Sequence, residues 1–171
     1  MGGATKVPFH GPVAAPDGGL FFSDIPASTT YKLEPNGTIA VWREQTGGAN
    51  GLFLARDGRL LAAEGAGRRI VAVTPDRRVT PLATQFNGQP LRAPNDLIAD
   101  GRGGVYFTDP MPRPAPEVAP KEPGNVHYLT AQGEVLLVDG QLRRPTGLTL
   151  SLDETILYVG DTEGEFVSAF D

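Results

Sequence analysis

The chain has 171 residues, 40% of them hydrophobic and 20% charged, enough to bury roughly 70% of its unfolded surface as one domain spanning residues 1–171. A formal net charge of −5 excludes a nucleic-acid binder held by phosphate contacts, which needs a concentrated basic face. The lack of cysteine excludes disulfides and thiolate metal sites.

The N-terminal stretch "MGGATKVPFHGP" has no signal-peptide core, and no later apolar run approaches the roughly 20 residues that span a bilayer. A soluble protein is expected, cytoplasmic rather than secreted, with no membrane partner. Beyond it, 22 glycines and 16 prolines are scattered as turns between short strands, which predicts an all-β fold.

Four stretches share one pattern of apolar strand, Asp/Gly-rich turn and second apolar strand: "VAAPDGGLFFSD" from Val13, "LFLARDGRLLAAE" from Leu52, "LIADGRGGVYFTD" from Leu97 and "LTLSLDETILYVGD" from Leu148. Each is followed by more strand, in "YKLEPNGTIAVW", "RIVAVTPDRRVTPL", "VHYLTAQGEVLLV" and finally "FVSAFD". Asn36-Gly37 and Gln132-Gly133 supply the residues that tight hairpin turns need. The units fall near residues 10–46, 50–86, 95–141 and 146–171, about 40, 45 and 51 residues apart, the spacing of propeller blades. The widest interval contains the proline-rich "MPRPAPEVAPKEP" at 111–123, read either as a surface insertion or as a lid over a binding face.

A polar residue opens every unit at the same distance from its second strand. His10, Asn50, Asn95 and Thr146 each lie 11 residues before Phe21, Leu61, Tyr106 and Leu157. Since the first strand of each propeller blade lines the central channel, the four are expected around one point on the axis. The alternative is that each serves its own turn by local hydrogen bonding.

Four segments together, "HGPVAAPDGGLFFSDIPASTTYKLEPNGTIAVWRE", "GGANGLFLARDGRLLAAEG", "PNDLIADGRGGVYFTDP" and "RRPTGLTLSLDETILYVGDT", resemble the SMP-30/gluconolactonase/luciferin-regenerating-enzyme family, in its order and over nearly the whole chain. The resemblance implies a six-bladed β-propeller, of which this chain supplies about three and a half to four blades. It also implies a divalent cation, usually Ca2+, at the top of the channel, and hydrolysis of lactones or related esters. A hard cation takes oxygen ligands, polarises the lactone carbonyl and leaves a place for water. On the family pattern the metal residues are Asn95 (the Asn of "PND"), Thr146 (where the family has the Asn of "PNG") and His10 (where it has the Glu of "EGP"). Asn50, Asp96 and Asp109 are expected to line the pocket, and no catalytic residue is assigned. A fifth-blade aspartate has no counterpart before Asp171. With both family carboxylates missing from the set, tight calcium binding is not expected. The alternative function is a non-catalytic propeller that binds a ligand or a protein.

The remaining candidates read as structure. His127, in the alternating "VHYL", is expected to be a half-exposed strand residue. "GAGRR" at 65–69 reads as a hairpin connection, and Arg68, Arg69, Arg77 and Arg78 as a solvated basic cluster. Asp24 and Asp109 end second strands and are expected to hold loops. An incomplete ring would expose sheet edges and an apolar flank, so the chain is read as part of a longer enzyme, a ring-completing oligomer or an independent half-propeller, with self-association expected.

Overall fold

The structure is a computed structural model, and it describes residues 9–113 and 122–171. Residues 1–8 and most of the proline-rich insertion, 114–121, lie outside the described residues. Four antiparallel sheets succeed one another around a common axis as propeller blades, and no helix occurs among the described residues. Blade 1 comprises β1 (Phe9–Ala14), β2 (Leu20–Asp24), β3 (Thr29–Leu33) and β4 (Ile39–Arg43). Blade 2 comprises β5 (Ala49–Leu54), β6 (Leu60–Glu64), β7 (Arg69–Val73) and β8 (Val79–Ala83). A small ribbon follows, β9 (Gln85–Phe86) paired with β10 (Gln89–Pro90). Blade 3 is β11 (Leu97–Ala99), β12 (Val105–Asp109), β13 (Asn125–Leu129) and β14 (Val135–Asp139). Blade 4 has three strands, β15 (Pro145–Leu150), β16 (Leu157–Asp161) and β17 (Phe166–Phe170).

The innermost strands touch in order, β1 against β5, β5 against β11 and β11 against β15, so each blade offers its first strand to the axis. The blades are held by apolar layers between them. Leu60, Ala62, Val71 and Val73 of blade 2 face Phe21 of blade 1, with Trp42 at the edge. The alternate residues Leu61, Ala63, Ile70 and Ala72 face Leu97, Val105 and Phe107 of blade 3. Both faces of blade 2 are therefore covered, which explains why β6 and β7 are nearly continuous apolar runs and not alternating ones. Val126, Leu157 and Val159 fill the smaller layer between blades 3 and 4. The outer face of blade 1 carries its own aromatic cover, Phe22 lying between Phe9 and Tyr31 at ring separations of 4.6 and 5.6 Å.

The Asp-Gly hairpins have a local cause. Asp57 Oδ1 accepts the Arg59 N–H at 3.1 Å while Gly58 takes φ +84°, a left-handed conformation that costs glycine nothing. In the β7–β8 hairpin the equivalent residue is Arg77, at φ +66°, donating its N–H to Thr74 O at 2.7 Å. Arg77→Gly is expected to raise unfolding stability by about 1 kcal/mol and Gly58→Ala to lower it by a similar amount. Urea midpoints of the two variants check both signs.

Candidate functional site

The polar residue that opens each blade sits in an irregularity of the innermost strand. Pairing of β1 with β2 slips between His10 and Val13, of β5 with β6 between Ala49 and Leu52, and of β15 with β16 between Pro145 and Leu148. In blade 3 the same place is held by Asn95-Asp96, bonded to Thr108 from Asn95 N to its carbonyl (2.9 Å) and from Thr108 N to Asp96 O (3.0 Å). The corresponding pairs are His10-Gly11, Asn50-Gly51, Asn95-Asp96 and Thr146-Gly147, so Asp96 stands where the other three blades have glycine.

These irregular segments meet. Gly51 donates its N–H to Asn95 O at 2.8 Å. Thr108 Oγ1 accepts the Asp96 N–H at 3.1 Å and donates to Thr146 O at 2.7 Å, tying blade 3 to blade 4. Gly11, at φ +54°, lies against the Asn50 backbone so closely that a Cβ there would fall 2.2 Å from Asn50 O. The four segments are thus consecutive neighbours, blade by blade.

Each second strand ends in an acid that faces this region. Asp109 accepts the N–H groups of Arg92 (2.9 Å) and Ala93 (2.8 Å), and Asp161 accepts those of Arg143 (2.8 Å) and Arg144 (2.7 Å). Pro94 and Pro145 come next and have no N–H to satisfy, so the acid takes the two donors available and fixes the approach to Asn95 and Thr146. In blade 2 the acid is Glu64, fully buried between Arg43 Nη1 and Arg69 Nε, each 2.6 Å away. In blade 1 Asp24 accepts the Ala27 N–H at 3.0 Å. Arg69 is therefore an ion-pair partner and not a solvated charge, and Arg68 donates to Leu91 O; Arg77 and Arg78 are exposed.

A cavity of about 360 Å³ opens at this end, between the strand-connecting loops of the first three blades and Arg144 of the fourth. Asn50 and Asn95 line it together with Gly48, Ala93, Arg113 and Arg144. His10, Thr146, Asp96 and Asp109 are not among its lining residues. Asp109 is turned to its loop. Asp96 lies between blades, accepting the Leu97 N–H at 2.9 Å, and burial pushes its carboxyl above the ordinary value. Arg144 could not be singled out from the sequence, because its value lies in the neighbours that leave room beside it. A larger groove of about 610 Å³ lies at the opposite, hairpin end. Its acids are engaged locally: Asp100 by Tyr128 Oη, Glu154 by Gly101 N and Asp57 by Arg59.

His127 differs from its expected half-exposure. It is fully buried, its ring 4.8 Å from that of Phe86 and 5.1 Å from that of Phe107, because the β9–β10 ribbon covers a strand face that the alternating pattern assigns to solvent. Burial lowers its pKa to about 4, with Arg92 acting in the same direction. Asp109 Oδ2 is 3.8 Å away, and burial pushes that carboxyl up.

The donors present do not suit a resident dication. The cavity offers two carboxamides beside two guanidinium groups, with no carboxylate in its lining, and among the described residues no three of His, Cys, Asp and Glu cluster as ligands. Hard dications take oxygen ligands, and tight sites include carboxylates among them. Asp96, next to Asn95 in the chain, is turned to the Leu97 N–H, and burial raises its carboxyl.

Three four-stranded blades and one of three strands, set in order around an axis with polar residues gathered at the inner strands' start, define a β-propeller. Residues 10–171 match the family described as SMP-30/Gluconolactonase/LRE-like region, and the chain belongs to it. It is similar to a gluconolactonase of Zymomonas mobilis, 31% identical over 90% of this chain and 49% of that protein. It is also similar to the pentonolactonase XacC of Haloferax volcanii, 30% identical over 92% of this chain and 51% of that protein. The chain spans about half the length of these curated relatives. Among solved structures, a gluconolactonase of Xanthomonas campestris superposes with a TM-score of 0.84 at 29% identity, over 95% of this chain and 57% of that one. The calcium-binding protein regucalcin of Agrobacterium tumefaciens shares the fold, with a TM-score of 0.77 at 18% identity, over 96% and 55%.

Two tests follow from this geometry. A Cβ on Gly51 would fall 2.1 Å from Asp96 Oδ1 and 2.6 Å from Asp96 Cα, whereas on Gly147 the nearest atom is 3.8 Å away. Gly51→Ala should therefore lower stability by about 3 kcal/mol, the upper end for overpacking, and Gly147→Ala should change it little; thermal melts of the pair decide. A histidine with a folded value near 4 and an unfolded value of 6.5 destabilises the native state as pH falls between them. Asp109, raised on folding, acts the other way, in a window opening upward from 3.8. His127→Phe should remove an acid-side loss of up to roughly 3 kcal/mol, seen as a flatter urea midpoint between pH 7 and pH 4.5.

Proposed function

We propose that the chain carries the site of a lactone hydrolase at the cavity lined by Asn50 and Asn95. The observation that supports it best is the pair of carboxamides from adjacent blades in one cavity, in a chain of the gluconolactonase family. The substrate class is a small lactone or related ester, as the names of the two curated relatives indicate.

In this reading the carboxamide N–H groups of Asn50 and Asn95 donate to the lactone carbonyl oxygen. Water adds to the carbonyl carbon, and the electron pair moves to that oxygen, where the same donors stabilise it. Collapse breaks the ring C–O bond, the ring oxygen takes up a proton, and the new acid ionises to carboxylate. No carboxylate or imidazole lies among the described lining residues, so these residues assist the electrophile and supply no general base. That same feature favours a second reading, a pocket that holds its ligand without turning it over.

The assay is hydrolysis of D-glucono-1,5-lactone, followed by acid release at constant pH. Turnover above the spontaneous rate is expected, with Asn95→Ala reducing kcat/KM by about 100-fold, the effect of removing an oxyanion donor. The profile should rise with pH without a descending limb between pH 5 and 8. No turnover above background would leave only the binding reading, and an Asn95→Ala rate equal to wild type would remove Asn95 from the reaction.

A further inference from the structure

One buried charge at the cavity has no role in the hydrolysis described above. Arg144 is only 8% exposed, and its backbone is fixed by Asp161 on one side and by Pro145 on the other. The residue with the same backbone bond in blade 3 is Ala93, and the residue two before the polar position in blade 2 is Gly48. Both line the cavity with almost no side chain, so the arginine of blade 4 extends beside space that its counterparts leave open.

Its donors are mostly uncommitted among the described residues. A guanidinium has five N–H groups. Arg144 Nη1 donates to Met111 O at 3.3 Å, and the nearest carboxylate oxygen, Glu163 Oε1, is 3.8 Å from that nitrogen on a half-exposed side chain. Burial lowers the pKa of Arg144, and a second guanidinium, that of Arg113, lowers it further. Two like charges at one cavity, without a carboxylate in the lining, leave a positive potential that an anion relieves. An arginine fork binds carboxylate through two parallel N–H···O bonds, which a neutral hydroxyl cannot match.

We propose that Arg144, with Arg113, receives the carboxylate of a polyhydroxy acid, so that the cavity selects sugar acids over neutral sugars. The sugar-acid part of this inference rests on the lactone reading, since opening a lactone produces a hydroxy carboxylate. The site then holds the product anion and also favours lactones that carry a carboxylate of their own.

Calorimetry compares D-gluconate with D-glucitol, which has the same carbon chain and no charge. Gluconate should bind roughly tenfold tighter or more, and added salt should reduce that preference. Arg144→Gln should abolish the preference with a melting temperature close to wild type, and Arg144→Lys should retain part of it. If Arg144→Gln does not fold, Arg113→Gln, at an exposed residue, should still narrow the gap. Equal binding of gluconate and glucitol by the wild-type chain overturns the inference, as does a preference that survives in a folded Arg144→Gln. The two readings fail separately. Arg144-dependent gluconate binding without lactone turnover keeps this inference and removes the hydrolase. Turnover with equal binding of the two ligands does the reverse.

Discussion

The acid that closes the second strand of each blade organises the site end of this molecule. Asp24, Glu64, Asp109 and Asp161 occupy one register position, opposite the residue that precedes the polar one. A loop entering the innermost strand has N–H groups that neither sheet can satisfy, and burying them unpaired would cost about 1–3 kcal/mol each. In blades 3 and 4 the acid meets two such donors directly, and the following proline removes the third. In blade 2 the loop begins with glycines, and Glu64 is instead held by arginines of two different blades. One chemical solution, varied by local sequence, thus fixes where Asn50, Asn95 and Thr146 begin.

The environment of these acids separates their titration. Asp161 lies below the ordinary carboxylate value although burial opposes it, because the backbone N–H groups of Arg144, Arg143 and Gly164 converge on it. Asp109 has two backbone donors, Arg92 and Ala93, and there burial prevails, pushing its carboxyl up. The difference traces to position in the ring. Blade 3 is covered on both faces and by the β9–β10 ribbon, whereas the far side of blade 4 leaves Phe166 and Val167 exposed at 53% and 68%.

Much of the architecture is legible in the residues themselves. Asp-Gly and Asn-Gly turns are local chemistry, and Gly37, Gly58 and Gly133 adopt the positive φ their turns require. The constant interval between a polar residue and its second strand reflects a real register, since in three of the four innermost strands a slip falls at that residue. What escapes is anything decided between blades. His127 looks half-exposed because alternation records one strand and not the ribbon folded over it. The ion pair of Glu64 with Arg43 is not legible because Arg43 belongs to the preceding blade. Arg144 acquires its meaning from Gly48 and Ala93, which are distant in sequence and small enough to leave a cavity.

Asp96 is the instructive exception to the repeat. Glycine at the second position of the irregular segment lets neighbouring inner strands approach closely, and Gly51 does so against Asp96 itself. A side chain at that position in blade 3 is tolerated because Gly51 and Gly147 flank it, and its carboxylate accepts the N–H of Leu97 on its own strand. This acid, next to Asn95 in the chain, is therefore engaged by its own backbone, in a buried setting that disfavours its charge. Two guanidinium groups and no carboxylate line the cavity, so its lining is positive. A field of that sign is unfavourable to a dication, and under the proposed function it favours the carboxylate that lactone opening would create.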